Sequence, residues 1–405
     1  MKLNFVAAAL VVAAELFVPL QAHACGGCFS PTGQPSVVRA HRMAIALSTE
    51  ETTLWDQFEY DGAPEDFVWV LPVSGGQDVT VELSDNAFFQ ALTQETQITL
   101  RAPSGVQGNG GGGSGCGCGG AGPSAGADST PPVTVFYEGT VGPYETVTVG
   151  SDSETALVDW LQSRGYSVPN AMLPTIQHYV DADMNFVVLR LSPGVGIQRM
   201  QPIAVTTPGL NVVFPLRMVA AGVDTRVSVD LYIFAEGRYE AANFPNREID
   251  RGLLAYDIST ATFNYDTLAR DTLALNNRRT WLTEYAAPVT AYQIPAYYEV
   301  DEAGTVHDAR DDWNKITQHI DSPFLTRMRA DLPVAALEAD LILQASDRPA
   351  LESFIVVDNQ VDGSGASLGA PVDRRMADFG GAVLPIALAL GYIARSAASR
   401  RRTRS

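Results

Sequence analysis

The sequence predicts an α+β fold, with β-rich sheets, several flanking helices and a single C-terminal transmembrane helix. Three observations support this class. Apolar or alternating runs, such as Val37–Leu47 and residues 67–73, are typical of strands. Segments with helical spacing and capping residues lie between such runs, for example after Ser84. Near the C-terminus, residues 379–394 contain no charged side chain.

The composition limits the class of protein. The chain has 405 residues, of which 46% are hydrophobic, so it can form a sizeable core and one to three domains. Its 46 acidic and 27 basic residues give a net charge of -19. Nucleic acid is therefore excluded as a partner, because phosphate binding needs clustered Lys and Arg. A polytopic membrane protein and a wholly disordered chain are also excluded.

Residues 1–24 have the three parts of a signal peptide. Lys2 supplies the charge, residues 5–20 supply an apolar run interrupted by Glu15, and Ala22-His23-Ala24 supplies the small-x-small cleavage site. A retained anchor is one alternative. Lipid attachment at Cys25 is another, although the Leu usual three residues before such a Cys is missing.

Residues 379–394 form a run of 16 without charge, at the short edge of the roughly 17–25 that a membrane helix needs. A basic segment follows at once, with Arg395, Arg400, Arg401 and Arg402. Positive charge on the cytoplasmic flank predicts a single-pass helix at 379–394 and a basic cytoplasmic tail at 395–405. The alternative is a buried core helix.

The same end resembles the three-part sorting tails of bacterial surface proteins. Gly380-Gly381 corresponds to the short signature motif at the start of such tails, and the apolar helix and the Arg cluster follow it. The resemblance implies that the tail is cut and that the protein moves to the cell surface.

The exported part, residues 25–356, begins with strands at Val37–Leu47, 52–60 and 67–73, followed by a helix capped by Ser84. Residues 104–132 are rich in Gly, Ser, Ala and Pro, which predicts a flexible loop. Strands are expected at 133–137 and 144–149. Ser151-Asp-Ser-Glu then caps a second helix that ends at Gly165, and Pro169 begins a third that ends near Val180.

A second β-rich block has strands at 184–191, 210–214 and 226–234, and helical stretches are expected around Trp313 and over 324–329. Residues 357–378 are polar and Gly-rich, which predicts a stalk before the membrane. These blocks are interleaved, so we expect one α+β unit with a long inserted loop.

Four cysteines form two close pairs, Cys25-Gly-Gly-Cys28 and Cys116-Gly-Cys118. Export places them in an oxidising environment, which predicts disulfides in one of three connectivities. A four-sulfur zinc site and a CxxC redox site are the alternatives. Zinc is thus the one cofactor that the sequence leaves open.

Motifs for catalysis are scarce. None of the four histidines of the mature chain belongs to a His-Glu-x-x-His motif, and Gly365-Ala-Ser367-Leu-Gly369 lies in the stalk with no histidine after it. His307-Asp308 with Asp311-Asp312 form a polar cluster, interpreted as a solvated junction or a weak metal site.

Several segments resemble one bacterial exported family, "domain of unknown function 2330". They are Ala24-Cys-Gly-Gly-Cys28-Phe29, Tyr60-Asp-Gly-Ala-Pro-Glu-Asp-Phe-Val-Trp-Val-Leu-Pro-Val73, Phe214-Pro-Leu-Arg-Met218 and Phe324-Leu-Thr-Arg-Met-Arg-Ala-Asp-Leu-Pro333. The resemblance covers roughly residues 24–355. It implies an exported, often membrane-tethered protein with a recurring N-terminal Cys pair, and it supplies no catalytic residues.

Together these features predict a membrane-tethered or surface-displayed extracytoplasmic protein, in the periplasm or outside the cell, with a binding or structural role. Its expected partners are the membrane, through the C-terminal helix, and an envelope or surface protein or glycan. Two alternatives stay open. One is an extracytoplasmic hydrolase with paired carboxylates in an apolar cleft. The other is a metal or redox protein based on the four cysteines.

Overall fold

The computed structural model describes residues 27–28, 37–61, 68–102, 133–164, 168, 172–220, 223, 225–290, 292–301 and 304–362. The strands before residue 200 are β1 (Gly27–Cys28), β2 (Val37–Leu47), β3 (Glu51–Asp61), β4 (Val68–Val73), β5 (Thr80–Leu83), β6 (Thr99–Arg101), β7 (Val133–Val141), β8 (Tyr144–Ser151) and β9 (Asn185–Leu191). The later strands are β10 (Ile203–Pro208), β11 (Val213–Phe214), β12 (Arg226–Ala235), β13 (Tyr239–Ala241), β14 (Asn246–Arg247), β15 (Ala255–Asp257), β16 (Thr262–Phe263), β17 (Trp281–Pro288), β18 (Tyr298–Val300), β19 (Val306–Asp308), β20 (Phe324–Pro333), β21 (Leu341–Ala345), β22 (Phe354–Val356) and β23 (Asn359–Val361).

Six α-helices are found in the same ranges. They are α1 (Asn86–Glu95), α2 (Glu154–Ser163), α3 (Leu173–Asp181), α4 (Leu216–Val219), α5 (Tyr265–Arg278) and α6 (Arg310–His319). The β-rich α+β class expected from the sequence is therefore confirmed for this part of the chain.

Two large β-sheets form the central part of the fold. The eight-stranded sheet has the order β14-β17-β20-β12-β2-β3-β10-β5, and the five-stranded sheet has the order β1-β4-β9-β8-β7. Most neighbours are antiparallel, but β12 runs parallel to β2, with Asp230 opposite Arg42. That parallel pair joins distant parts of the sequence, and it places the 226–235 strand in the middle of the large sheet.

The two sheets pack face to face with helices on both outer sides, so the molecule has four layers. Alternate residues of the large sheet, such as Leu231 and Met328, form one apolar core with Trp69 and Leu189 of the smaller sheet. The other side of the smaller sheet packs against α2 and α3. Part of the other side of the large sheet packs against α1 and α6, whose Phe88 and other apolar side chains are fully buried.

Asp340, which directly precedes β21, links α3 to α4. Its Oδ1 accepts a hydrogen bond from the Tyr179 hydroxyl of α3 at 2.6 Å and another from the Arg217 backbone N–H of α4 at 2.9 Å. Burial, followed by the charge of Asp340, raises the pKa of Tyr179, so its hydroxyl stays a donor. A carboxylate shared by two elements in this way holds them together through charge-assisted hydrogen bonds.

Most predicted elements match the structure, with a few corrections. Asp85, not Ser84, caps α1 through a hydrogen bond from the Ala87 backbone N–H, because the Ser84 hydroxyl donates to Asp312. Gly165 and Pro169, the predicted end of the second helix and start of the third, lie outside the described residues. Within the described residues, α2 ends at Ser163 and α3 begins at Leu173.

The helix expected over 324–329 is wrong, since Phe324–Pro333 is a strand between β12 and β17. The stalk expected from residue 357 also begins too early, because Asn359–Val361 pairs with β15. Only its later part, beyond residue 362, lies outside the described residues.

No helix within the described ranges is long and apolar enough to cross a membrane. The predicted signal peptide at 1–24, the Gly-rich loop at 104–132, the transmembrane helix at 379–394 and the basic tail at 395–405 all lie outside those ranges, so they stay predictions.

Candidate functional site

The cysteines and tail arginines predicted from the sequence are mostly outside the described part of the chain. This applies to Cys25, Cys116 and Cys118 and to Arg395, Arg400, Arg401 and Arg402. The backbone of Cys28 is described: it lies in the edge strand β1, opposite Trp69 of β4. The disulfide and zinc hypotheses therefore stay predictions. Among the described residues, no group of three or more His, Cys, Asp and Glu is placed to hold a metal ion.

The strongest candidate is a charged region on the helix-bearing side of the eight-stranded sheet. One part of this side is apolar and lies under α1 and α6, and next to it Arg42, Arg226, Arg327 and Arg329 project from three neighbouring strands. Beside these arginines, α5 packs on β17 through an apolar cluster of Ala269, Leu273 and Leu282. We call the four arginines, with Arg278 from the end of α5, the arginine face.

Strand alternation explains why these residues share one side. In β20, the side chains of Met328, Ala330 and Leu332 point into the core between the sheets, so the arginines between them point to the opposite side. In β12 the same alternation directs Arg226 and Asp230 away from the core. The cross-strand register then places Asp230 between Arg42 on one side and Arg329 on the other.

Glu284 is the centre of one ion-pair network. Its side chain is only 3% exposed and lies 3.0 Å from the Arg329 guanidinium and 3.7 Å from that of Arg327. The Tyr265 hydroxyl donates to it at 2.9 Å. A shift in register between Thr283 and Tyr285 produces a β-bulge at this residue, and bulges redirect side chains in this way.

Arg327 is the most enclosed arginine of the face. Its guanidinium donates to Asp230 at 3.2 Å and lies over the Tyr232 ring, 5.7 Å from the centroid. Burial opposes the charged form, but the carboxylates of Asp230 and Glu284 outweigh it and raise the pKa of Arg327. The buried Nε atoms of Arg327 and Arg329 have no hydrogen-bond partner among the described residues. An unpartnered buried donor is costly, so each of these two groups needs a physical explanation.

Asp331 holds the second part of the face. Its Oδ2 accepts hydrogen bonds from Arg226 at 3.0 Å and from Arg278 at 2.5 Å. Arg278 belongs to a turn of three residues with left-handed backbone, Asn276, Asn277 and Arg278, with φ of 52°, 56° and 61°. A non-Gly residue with positive φ is unfavourable, and this one is held where it reaches Asp331.

The charges of the face do not cancel. Five guanidinium groups face three carboxylates, those of Asp230, Glu284 and Asp331, in a chain whose acids outnumber its bases. Arg42 contacts the Thr93 hydroxyl at 3.4 Å and the Phe89 ring at 6.0 Å. These eight groups therefore include two more guanidinium groups than carboxylates, which makes the face chemically suited to contact an anion.

A second polar cluster joins the start of α1 to the β18–β19 hairpin. His307 lies between two carboxylates, with Nδ1 2.7 Å from Asp85 and Nε2 3.4 Å from Asp301. The hydrogen bond to Asp85, with the charges of both carboxylates, raises the pKa of His307. The raised pKa favours the imidazolium form, which can donate from both nitrogens.

Asp312 belongs to the same region and is buried. It accepts hydrogen bonds from the Trp55 indole at 2.7 Å and the Ser84 hydroxyl at 2.9 Å. Burial raises its pKa to about 6 against the effect of those hydrogen bonds. The interpretation of this segment as a solvated junction is therefore wrong for Asp312, whose neighbours are core side chains.

The hydrolase alternative required two carboxylates in a deep apolar cleft. Asp230 and Glu284 share Arg327, but arginine guanidinium groups surround them. The cavities described between the two sheets are small, about 30 Å³ and 10 Å³, and lie on the other side of the large sheet.

The sequence contained one unused signal for the arginine face. Residues 226–231 alternate with Arg226, Ser228 and Asp230 at every second position, and residues 327–332 alternate with Arg327, Arg329 and Asp331. Charged residues that alternate with apolar ones indicate a strand with one charged side. The pattern does not show which strands lie next to each other in the sheet.

The fold and the face define a four-layer α+β protein with a cationic surface on its larger sheet. The family model for an uncharacterized protein conserved in bacteria, DUF2330, matches residues 19–341, and the chain belongs to this family. The family predicted from the sequence is thus confirmed. No match to the chain is found among curated proteins, and none among solved structures.

Proposed function

We propose that the chain is an extracytoplasmic binding protein, tethered to the membrane by residues 379–394, and that the arginine face is its binding surface. The observation that carries the binding role is the excess of guanidinium groups on this face of an otherwise acidic molecule. Electrostatic complementarity then selects an anionic partner. An envelope or surface protein or glycan with acidic groups satisfies this requirement.

The extracytoplasmic location and the tether rest on the two ends of the sequence. Residues 1–24 have the organisation of a signal peptide, and the uncharged segment 379–394 precedes a cluster of arginines. An acidic outer part fits this topology, because it is soluble and is not attracted to anionic lipid.

Cell fractionation tests the tether. We expect the full chain to remain in the membrane fraction after a high-salt wash, and protease added outside the inner membrane to digest the 25–378 part. A version that ends at residue 378 should be released. Replacement of residues 379–394 by a Gly-Ser segment of equal length should also release it, which separates loss of the apolar segment from shortening of the chain.

The variant Cys25→Ser distinguishes a lipid anchor from the helix. If the truncated chain stays in the membrane and C25S then releases it, the anchor is a lipid and the helix proposal is wrong. If the 25–378 part is protected from protease in cells with an opened outer layer, the extracytoplasmic location is wrong.

A further inference from the structure

We infer that a second surface of the chain, close to the C-terminal end of the described fold, contacts the lipid bilayer that holds the proposed tether. Leu253, Ile258, Phe354 and Val356 form this surface, which we call the exit patch. The inference rests on the tether of the proposed function. It goes beyond the arginine face, because it assigns the membrane as the partner of a different part of the molecule.

The exit patch belongs to a small lobe at one edge of the large sheet. The lobe combines the sheet β16-β15-β23 with the strand pair β22–β6, and Leu254 and Ile355 lie in its buried core. Leu351, just before β22, forms a β-bridge with Ala286 of β17, which places the lobe at the β17 edge of the large sheet. The lobe therefore has an interior of its own, and the exit patch lies outside that interior.

Two side chains of β22 point away from the core of the lobe. Ile355 and Val357 are buried. The alternation of the strand therefore directs Phe354 and Val356 to the opposite side, where they are 50% and 52% exposed. Phe354 is the one exposed phenylalanine among the residues whose side chains the structure describes. These two neighbours form a continuous apolar strip on the surface.

The other two members lie beside β22 and β23. The Ile258 backbone N–H donates to the Val361 carbonyl of β23 at 3.1 Å. The Arg251 guanidinium donates to the Glu352 carbonyl at 2.8 Å, which brings the turn that contains Leu253 to the start of β22. Exposed apolar side chains that collect in one region, instead of lying singly, are typical of surfaces that contact a protein or a membrane.

The length of chain after the lobe selects the membrane as the occupant. The described residues end at Asp362, and residues 363–378 connect them to the predicted membrane segment. A segment of this length spans at most about 60 Å when fully extended, and about 20–25 Å on average as a flexible chain. A fold of this size has a radius of gyration of about 20 Å. In the proposed topology, the lobe is therefore the part of the fold that lies nearest the bilayer.

A tether also makes a weak contact sufficient. When a short segment links two surfaces, their effective concentration is about millimolar, so the second contact forms without any loss of freedom beyond that of the tether. A patch of four apolar side chains would bind a free protein to a bilayer only transiently. On a tethered chain the same patch stays in contact for much of the time.

The charges around the exit patch favour apolar contact over attraction to anionic lipid. Arg101 lies opposite Val356 and is exposed, whereas Glu352 and Asp358 flank β22 and are also exposed. Acidic and basic groups are thus mixed, so an anionic surface offers little net attraction. We expect the apolar side chains to enter the headgroup region of a zwitterionic bilayer, in a contact that high salt does not remove.

Tryptophan quenching by brominated lipid tests the contact, with the full chain in phosphatidylcholine vesicles. All five tryptophans of the chain are buried in the fold and residues 379–394 contain none, so the wild-type emission should change little. In Phe354→Trp, most of the added emission should be lost when the lipid is brominated, at low and at high salt. Val356→Trp is a second reporter on the same side of β22 and should behave alike.

Tyr137→Trp is the matched control, because Tyr137 is an aromatic residue of similar exposure, 45%, in the edge strand β7. Gly142, just after β7, lies against the Leu83 side chain of β5. Strands β5 and β17 lie near opposite ends of the large sheet, about 30 Å apart, so Tyr137 is remote from the lobe. The emission that Y137W adds should be unchanged by brominated lipid.

Flotation of the vesicles separates this inference from the tether. If the chain floats with the vesicles but F354W and V356W are not quenched, or Y137W is quenched equally, the exit-patch inference is wrong and the tether stands. If the chain does not float, the tether is wrong and the inference fails with it. Quenching that needs anionic lipid and disappears at high salt would contradict the apolar contact. An F354W emission that shifts with the protein-to-lipid ratio, without quenching, would identify a second copy of the chain as the occupant and overturn the membrane contact.

Discussion

Asp312 is a carboxyl group placed among core side chains of α1 and α6, and its protonation is linked to folding. Its pKa is about 6 in the folded chain against an ordinary value of 3.8. The folded state therefore holds the proton more tightly than the unfolded state. The corresponding stabilisation is complete below pH 3.8 and is lost as the pH rises through about 6, a change on the order of 3 kcal/mol.

We expect Asp312→Asn to remove this pH dependence. The free energy of unfolding of D312N, relative to wild type, should rise between pH 4 and pH 7 by up to about 3 kcal/mol. Urea denaturation at several pH values measures it. Asp311→Asn is the control, because Asp311 is the exposed neighbour on the same helix. A difference between D312N and wild type that does not change with pH would contradict the prediction.

The pH dependence that His307 contributes has the same sign. Its pKa is raised by the hydrogen bond to Asp85 and by both nearby carboxylates. The stabilisation is present below the ordinary pKa of 6.5 and is lost as the pH rises through the higher, folded-state value. Because the ring is partly exposed, we expect a contribution of about 1 kcal/mol or less.

The variant Asp85→Asn separates this interaction from helix capping. Asn is as good an N-cap as Asp, so α1 keeps its hydrogen bond to the Ala87 N–H, but the charge facing His307 is gone. We expect the NMR-measured pKa of His307 to fall toward 6.5. Asp308→Asn is the control, since Asp308 bonds to Arg310 instead of the ring. An unchanged pKa in D85N, or an equal fall in D308N, would show that Asp85 is not the cause.

At the scale of elements, the end of α5 stores backbone strain where it supplies Arg278 to the arginine face. Asn277 has φ of 56°, which Asn tolerates better than most residues and Gly adopts freely. We expect Asn277→Ala to destabilise the chain by about 1 kcal/mol, and Asn277→Gly to leave stability nearly unchanged. Chemical denaturation of both variants measures this. If the two substitutions have equal effects, the left-handed turn does not contribute as the structure indicates.

Element types were predictable where the local pattern and the tertiary contacts agree. Val37–Leu47 and Arg226–Ala235 are strands whose alternate residues enter the core, and α2 begins after the cap residue Ser153 as its sequence indicates. The side-chain period of two is a strong signal whenever one side of a strand is buried. For these elements the sequence alone contains the decisive information.

The segment Phe324–Pro333 shows why prediction failed elsewhere. Over six residues, Phe324, Leu325 and Met328 have the spacing of a helical face, whereas the alternation of Met328, Ala330 and Leu332 extends over the longer window. The pairing with β12 and β17 on both sides decides the outcome, because it satisfies the backbone hydrogen bonds of the whole segment. A short window cannot contain that information.

At the scale of the whole molecule, the arginine face depends on contacts between distant parts of the sequence. Arg42 comes from β2, Asp230 from β12 and Arg329 from β20, and the parallel β12–β2 pair sets their register. A one-residue slip would move each arginine to the opposite side of the sheet. The sequence could show that charge alternates along each strand, but it could not show that these strands adjoin one another.

Of the four cysteines, Cys28 lies at the N-terminal edge of the fold and the other three lie outside the described residues. Cys28 lies in β1, so its backbone is fixed beside Trp69 at the edge of the smaller sheet. We expect an oxidising compartment to convert all four cysteines into disulfides. Intact mass spectrometry of the exported, unreduced chain should then show the loss of four hydrogen atoms relative to the reduced chain. Four alkylatable thiols with one bound zinc would contradict this and support a metal site.

Paired variants determine the connectivity. If each bridge is local, Cys25→Ser/Cys28→Ser leaves the 116–118 bridge intact, and the variant has no free thiol. If the bridges join the N-terminus to the Gly-rich segment, the same variant exposes two thiols at Cys116 and Cys118. In the chain-entropy account, a bridge that closes a loop of about 90 residues contributes roughly 4–5 kcal/mol, which is more than a local bridge contributes. The long-range connectivity therefore also predicts a large fall in thermal stability upon reduction, and a small fall would favour local bridges.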